Sequence, residues 1–264
     1  MPKQARRLIA SGDFQGRENE SLVRWLMADK SLAKRLLLWC NTPMFNASRP
    51  YESIAQAAAL MDGRELVQVL IVAAARGFFL PDVQIDIYRR SLLWSHSAAV
   101  GTVSAMISRT CGICDPSQAF VAGALHDIGI LANERLNQSG FQQFILQIDQ
   151  LTPTTQVELD FQGWDHTELG EAILDQWGMP DEIKAAARLH HDADAADKSP
   201  HAQIASIVSL ANFLCSRSGW SSLGTHNQHP PNESTLRHLE IDADLLALLW
   251  QQLPTALESA KHLQ

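Results

Sequence analysis

The chain has 264 residues and a formal net charge of −8, from 21 Lys and Arg against 29 Asp and Glu. That length supports one large domain or two small ones, and a hydrophobic content of 46% excludes wholesale disorder. The acidic balance argues against a general nucleic-acid binder, which needs a basic face to displace phosphate counterions.

The longest unbroken apolar stretch, residues 69–75, ends at Arg76 and falls far short of the roughly 20 residues a membrane span needs. The N-terminal MPKQARRLIASGDFQG has basic residues but no apolar core of a secretion signal. Four cysteines are too few for a disulfide scaffold. A cytoplasmic protein without membrane contact is expected.

Apolar residues recur at helical spacing almost throughout, which predicts an all-α fold. In SLVRWLMADKSLAKRLLLW, the residues Leu22, Trp25, Leu26, Leu32, Leu36 and Trp39 can line the inward faces of one or two helices. The run stops at Cys40-Asn41-Thr42-Pro43, because Pro lacks the amide N–H and disfavours helix in the residue before it. A second helical pattern covers 54–60, Asp62-Gly63 punctuates, and a third covers 65–75. Only Val83, Ile85 and Ile87 alternate like a strand.

Asp115 followed by Pro116 reads as an N-cap with Pro at the first helical position, opening a helix expected to run to about Leu131. Asp165 and Glu168 form a capping-box-like pair for a helix ending near Gly178. Pro180 opens another, with Asp181 and Glu182 complementing the dipole of its first turn, and it is expected to run through His190 and His191. Residues 219–232 read as a loop and 241–260 as a last helix or helix pair.

The chemistry-bearing signal is histidine. Five of ten lie in separate predicted helices: His96 in LLWSHS, His126 in GALHDIG, His166 in WDHTELG, and His190 with His191 in RLHHD. Imidazole and carboxylate are the usual ligands of Zn, Fe, Mn and Ni, and a helix bundle can gather them in its interior. Asp127, beside His126, could also bridge two ions. Ala122, Gly123, Ala124 and Gly129 around the pair would let other helices approach closely. His166, in a first turn, faces the positive dipole end, which favours its neutral, ligating form. Taken singly, each His is more often a packed or surface residue; their joint order raises the reading above that.

Other features have plainer explanations. Cys111-Gly112-Ile113-Cys114 is a lone CxxC, read as packing or incidental thiols. Trp94, Trp164 and Trp177 are read as core, and Arg89-Arg90 and Lys184 with Arg188 as solvated helix faces.

The order of these motifs resembles the HD superfamily and, more closely, its HDOD branch. LAKRLLLWCNTPMF and RPYESIAQAAALMDGRELVQVLI are similar to the family's N-terminal segments. LLWSHS, FVAGALHDIGIL, WDHTELGEAILDQWGMPDEIKAAARLHH and IASIVSLANFL follow in the family's order. The resemblance implies a multi-helix HD-like bundle with an additional N-terminal helical lobe. It places an HDOD domain over 15–215, with an N-terminal lobe over 15–90, an HD-type lobe over 91–215, and a C-terminal loop and helical extension over 216–264.

It also implies metal positions at His96, His126 and Asp127, with Asn212 where the catalytic superfamily has a closing Asp. His166, His190 and His191 match positions that hold a second metal in the HD-GYP branch. Two departures follow. Asn212 offers a neutral amide in place of a carboxylate, weakening attraction for a cation, and HHDADAADKSP lacks the GYP signature. The resemblance therefore implies a bacterial signalling module that binds protein partners, with a partly eroded centre that holds a divalent Fe, Mn, Zn or Ni ion or none. The alternative is a metal-dependent phosphohydrolase, with Asp127 orienting the nucleophile and the metal polarising a phosphoryl oxygen.

Overall fold

The computed structural model describes residues 30–41, 50–60, 63–149, 151–223 and 230–263. Leu22, Trp25, Leu26 and the side chain of Leu32 lie outside the described residues; Leu36 and Trp39 are fully buried, as their spacing predicts.

Regular structure among the described residues is almost entirely α-helical. The exceptions are a single 3₁₀ turn over Gly77–Phe79 and a two-stranded ribbon, β1 (Gln84–Ile85) antiparallel to β2 (Tyr88–Arg89), with Ile85 opposite Tyr88. The alternation at Val83, Ile85 and Ile87 therefore marks a short hairpin, too small to be a core sheet.

Among the described residues three α-helices precede it: α1 (Lys30–Cys40), α2 (Ile54–Leu60) and α3 (Gly63–Arg76). α1 stops at Cys40. Asn41 then joins its end to the next described segment, its side chain accepting from the Tyr51 N–H at 2.6 Å and donating to the Tyr51 carbonyl at 2.9 Å. α1 packs on α3, and α3 packs on the HD-bearing half of the chain.

The centre of that half is α4 (Arg90–Cys111), buried on nearly every side from Leu93 to Ser108. A helix apolar or small all round must be enclosed by others, and α5 (Pro116–Leu125), α12 (Ala202–Arg217) and α14 (Ala243–Lys261) enclose it. α5 approaches most closely through glycine: a Cβ on Gly123 would meet the Val100 carbonyl at 2.7 Å, and one on Gly101 the Phe120 carbonyl at 2.8 Å. The close approach expected of the Ala122–Ala124 run is thus made by Gly123 against α4.

Helix ends follow the capping signals. Asp115 accepts from the Ser117 N–H at 2.9 Å and starts α5. Asp165 accepts from the N–H groups of Thr167 and Glu168 and starts α9 (His166–Gln176), which closes toward Gly178 at φ 72°. Glu168 does not complete a reciprocal box; it pairs with Arg188 at 3.2 Å instead.

Two expected helices are shorter than their sequence pattern. The helix expected over 116–131 breaks at His126-Asp127, and α6 (Ile128–Leu136) begins afresh. Asp127, at φ −97° and ψ 16°, occupies the bridge region where chains turn out of helix. Likewise α10 (Asp181–Leu189) ends before His190 and His191, which sit in the following turn. Between these elements run α7 (Gln138–Ile145), α8 (Thr154–Gln162) and α11 (Ala193–Asp197), and α13 (Glu233–His238) precedes α14.

Arg90 is not on a solvated face. It is buried, and its guanidinium forks onto the equally buried Glu134 at 2.7–2.9 Å while donating to the Pro81 carbonyl at 2.5 Å. A buried charge needs such a partner. The cysteines Cys40, Cys111, Cys114 and Cys215 are all free thiols. No helix among the described residues is long and apolar enough to cross a membrane.

Candidate metal centre

The breaks in the helices are where the chemistry gathers. His96 comes from the first third of α4, and His126 and Asp127 from the turn joining α5 to α6. His166 is the first residue of α9, and His190 and His191 follow the end of α10. Four separate chain positions thus deliver six side chains to one place. Their ligand atoms form two overlapping groups, His96–His126–Asp127 and Asp127–His166–His190–His191, each with all atoms within 4.8 Å of one another. Asp127 belongs to both.

His96 Nε2 and His126 Nε2 lie 3.3 Å apart, and the nitrogen–oxygen distances are longer than those of charge-assisted hydrogen bonds, as for groups gathered around a common point. Asp127 Oδ2 lies 3.5 Å from His96 Nε2 and 3.3 Å from His126 Nε2. Asp127 Oδ1 lies 3.4 Å from His166 Nε2 and 3.5 Å from His190 Nε2. Asp127 Oδ1, His166 Nε2 and His190 Nε2 are buried without a hydrogen-bond partner. Orphaned buried polar atoms are costly, and here the donor atoms converge. The residues present therefore fit a divalent cation of the borderline class, which takes imidazole nitrogen and carboxylate oxygen.

The far sides of the rings explain why the inner nitrogens are free. His96 Nδ1 lies 2.8 Å from the Trp220 carbonyl, His126 Nδ1 2.7 Å from the Gly123 carbonyl, and His190 Nδ1 2.9 Å from the Ala187 carbonyl. A carbonyl can only accept, so each of these rings carries its proton on Nδ1 and turns a bare Nε2 inward. His166 Nδ1 lies 2.5 Å from a carboxylate, Glu158 Oε2.

Burial and charge act in opposite directions on the rings. Burial, outweighing the attraction of Asp127, holds His96 down to about 4, and it does the same to His190. His191, its ring centre 4.0 Å from that of His190 with the planes tilted by 47°, is held well below the usual histidine range by burial and by its neighbouring imidazoles. Asp127 is held well below the carboxylate range: burial pushes it up, but His126, His190 and His166 together prevail. His166 departs from the expectation of a neutral ring at a helix N-terminus. Burial would lower it, yet Glu158, Asp127 and Asp165 overcome both burial and dipole and raise it to about 9. Nearby full charges exceed a dipole effect of about 0.3–1 kcal/mol.

Asn212 is buried on α12, its Oδ1 accepting from Ser216 at 3.4 Å. Of the wider tryptophan set, Trp94 is fully buried, while Trp164 and Trp177 are partly exposed. Beside the centre lies a cavity of about 200 Å³ bordered by His190, His191, Thr154, Thr155, Ser209 and Asn232.

Sequence reasoning missed Glu158 and the Trp220 carbonyl. Glu158 sits between Val157 and Leu159 with nothing in its spacing to mark it as inward. The turn at Gly163 and the cap at Asp165 bring it against a residue eight positions later.

Comparison with known proteins follows the same lines. The HDOD domain family matches residues 1–193. A curated relative, an uncharacterized protein of Treponema pallidum, is 22% identical over 201 residues; the match takes in 73% of this chain, which spans 37% of that relative's length. Among solved structures, an HDOD domain protein of unknown function from Geobacter sulfurreducens is similar over 100% of this chain and 92% of its own, with TM-score 0.78 and 23% identity. A protein of Shewanella amazonensis named as a proposed phosphohydrolase matches over 100% and 94%, with TM-score 0.74 and 17% identity. A protein of Marinobacter aquaeolei named as a proposed signal transduction protein matches over 99% and 59%, with TM-score 0.72 and 21% identity. At these identities the likeness is one of fold.

Proposed function

Because the chain belongs to the HDOD family, we propose that it is a signalling module that acts by binding a protein partner, built around a metal-holding centre of His96, His126, Asp127, His166, His190 and His191. In this reading 15–215 is the module, its N-terminal lobe 15–90 the additional helical part, and 216–264 a helical extension.

The observation that carries the reading is the enclosure of the centre. His96, His126, Asp127, His166 and His190 are each at most 2% exposed. A hydrolase must bring a phosphoryl group to its metal, and a structural or regulatory centre need not. A bound divalent cation would supply the positive charge that two buried carboxylates, Asp127 and Glu158, formally call for. The protein's own part is orientation: three backbone carbonyls and Glu158 hold four rings with Nε2 inward, and Asp127 joins the two groups. Asn212, at the position where the catalytic superfamily closes its site with Asp, adds no charge.

One observation favours the alternative, a metal-dependent phosphohydrolase: the cavity bordering His190 and His191 offers an approach from outside. One experiment separates the two. Purified, tag-free protein is measured for metal by elemental mass spectrometry and for turnover of a generic phosphodiester, bis-p-nitrophenyl phosphate. The expected result is about one or two equivalents of metal, absent from a His126→Ala/Asp127→Ala variant, with turnover no higher than that variant's. Metal-dependent turnover lost in Asp127→Asn would transfer the protein to the hydrolase class. An empty site after incubation with divalent metals would remove the metal from the reading.

A further inference from the structure

His166 is held differently from its neighbours. Carbonyl oxygens occupy the Nδ1 side of His96, His126 and His190, whereas a carboxylate occupies that of His166. Glu158 is 0% exposed, and its Oε2 alone receives both the His166 backbone N–H at 3.0 Å and the ring Nδ1 at 2.5 Å. The other oxygen, Oε1, is buried without a hydrogen-bond partner. Among the described residues the basic group paired with Glu158 is the His166 imidazole, so the cation that faces Glu158 is the imidazole itself or whatever that imidazole binds.

A purely structural role would be narrower than this. The backbone of α9 is already capped by Asp165 at Thr167 and Glu168, and Glu158 adds only the His166 N–H. For that one bond any acceptor would serve. A carboxylate against Nδ1 does more. It keeps the ring proton on the outer nitrogen, locks the ring's rotation, and makes Nε2 a stronger donor, as second-layer carboxylates do for metal-bound histidines.

We infer that Glu158 is a positioning residue for the centre: through Nδ1 it presents His166 Nε2 toward Asp127 and strengthens it as a ligand. The effect on cation affinity rests on the metal-holding reading above, while the effect on the ring does not. Glu158 works from α8, whose first residues, Thr154 and Thr155, border the cavity beside His190 and His191. α8 therefore touches both the mouth of the centre and one of its ligands.

The test compares the full-length protein with Glu158→Gln and Glu158→Ala. Gln keeps an acceptor oxygen of the same shape and loses the charge; Ala loses both. Circular dichroism and thermal unfolding check that each variant is folded, and Glu168→Gln, exposed on α9, serves as the neutral control. Zn²⁺ affinity is measured by competition with a chromophoric chelator. Glu158→Gln is expected to bind Zn²⁺ about 10–100-fold more weakly than the parent, with Glu168→Gln unchanged. In the metal-free protein with ¹⁵N-labelled histidine, the His166 Nδ1 proton is expected far downfield, shifted upfield in Glu158→Gln and lost in Glu158→Ala. Zn²⁺ affinity in Glu158→Gln within about twofold of the parent, or a downfield resonance that survives Glu158→Ala, would overturn the inference. If the parent takes up no Zn²⁺, the metal-holding reading fails and the resonance alone decides the role of Glu158.

Discussion

His96 and His190, held down to about 4, and His166, raised to about 9, share one buried cluster. Their opposite displacements make the metal-stripped protein sensitive to pH in both directions. A histidine lowered by folding contributes stability that is complete above its unfolded value of about 6.5 and is lost as pH falls toward its folded value. One raised by folding contributes stability that is complete below about 6.5 and is lost as pH rises through its folded value. The Tm of metal-free protein should therefore peak near pH 6.5, at about the unfolded histidine value. It should fall toward pH 4 as His96 and His190 charge, with Asp127 adding to the loss below the carboxylate range. It should also fall toward pH 9 as His166 gives up its proton. A Tm flat between these limits would contradict this assignment of charge. The sequence made these histidines legible as a set, and the resemblance ordered them. The charge state of His166 was not legible, because it depends on Glu158, which reaches it across a turn.

α6, which follows directly on His126-Asp127, and α9, which begins with His166, meet at Gly129. A Cβ there would overlap the carbonyl oxygen of His166 and lie 2.8 Å from the Gly170 backbone nitrogen. These are backbone atoms, so the helices themselves would have to part. Gly129→Ala is a case where propensity and packing oppose each other. Ala ordinarily stabilises a helix interior by about 0.8–1 kcal/mol over Gly, whereas overpacking costs about 1–3 kcal/mol. Because the atoms met are backbone, the cost lies at the upper end of its range, and urea denaturation should show a net loss of about 2 kcal/mol; metal content should fall because His166 moves with its backbone. Unchanged or increased stability would mean that the contact relaxes freely. At this scale the sequence revealed the helix starts well, since Asp115, Pro116 and Asp165 act through local bonds. It did not reveal the break at His126-Asp127, because the apolar pattern runs on from Leu125 into Ile128, Ile130 and Leu131 without interruption. Only contacts to other helices distinguish the turn from one more helical residue.

Across the whole molecule the connecting residue is Trp94, two positions before His96. Its ring stacks 5.8 Å from Trp39 of α1, lies 5.0 Å from Phe79, and is faced by the Arg76 guanidinium at 5.3 Å. Its Nε1 donates to the carbonyl of Leu263 at 2.9 Å. The N-terminal helices, the central helix and the last turn of the chain are thus fastened at one indole. Trp94→Phe, which keeps a ring but removes the donor, should cost about 1 kcal/mol for the lost hydrogen bond, plus some packing. Trp94→Ala should cost about 3–5 kcal/mol. Chemical denaturation of both variants measures the difference, and equal losses would mean that the bond to Leu263 rather than the ring carries the joint. The all-α class could be read from periodicity, and the bundle from the resemblance. The contacts that close it could not, since Trp94 to Leu263 and His96 to Trp220 span 169 and 124 residues.

The enclosure of the ligands also bears on time. With His96, His126, Asp127, His166 and His190 almost wholly withdrawn from solvent, a chelator can approach an ion seated among them only from the cavity side, past the half-buried His191. Exchange would then proceed through local opening of the surrounding helices, a process set by the protein's own fluctuations rather than by the strength of any one bond to the ion. A partner that stiffened or loosened these helices would lengthen or shorten the ion's residence without touching a single ligand.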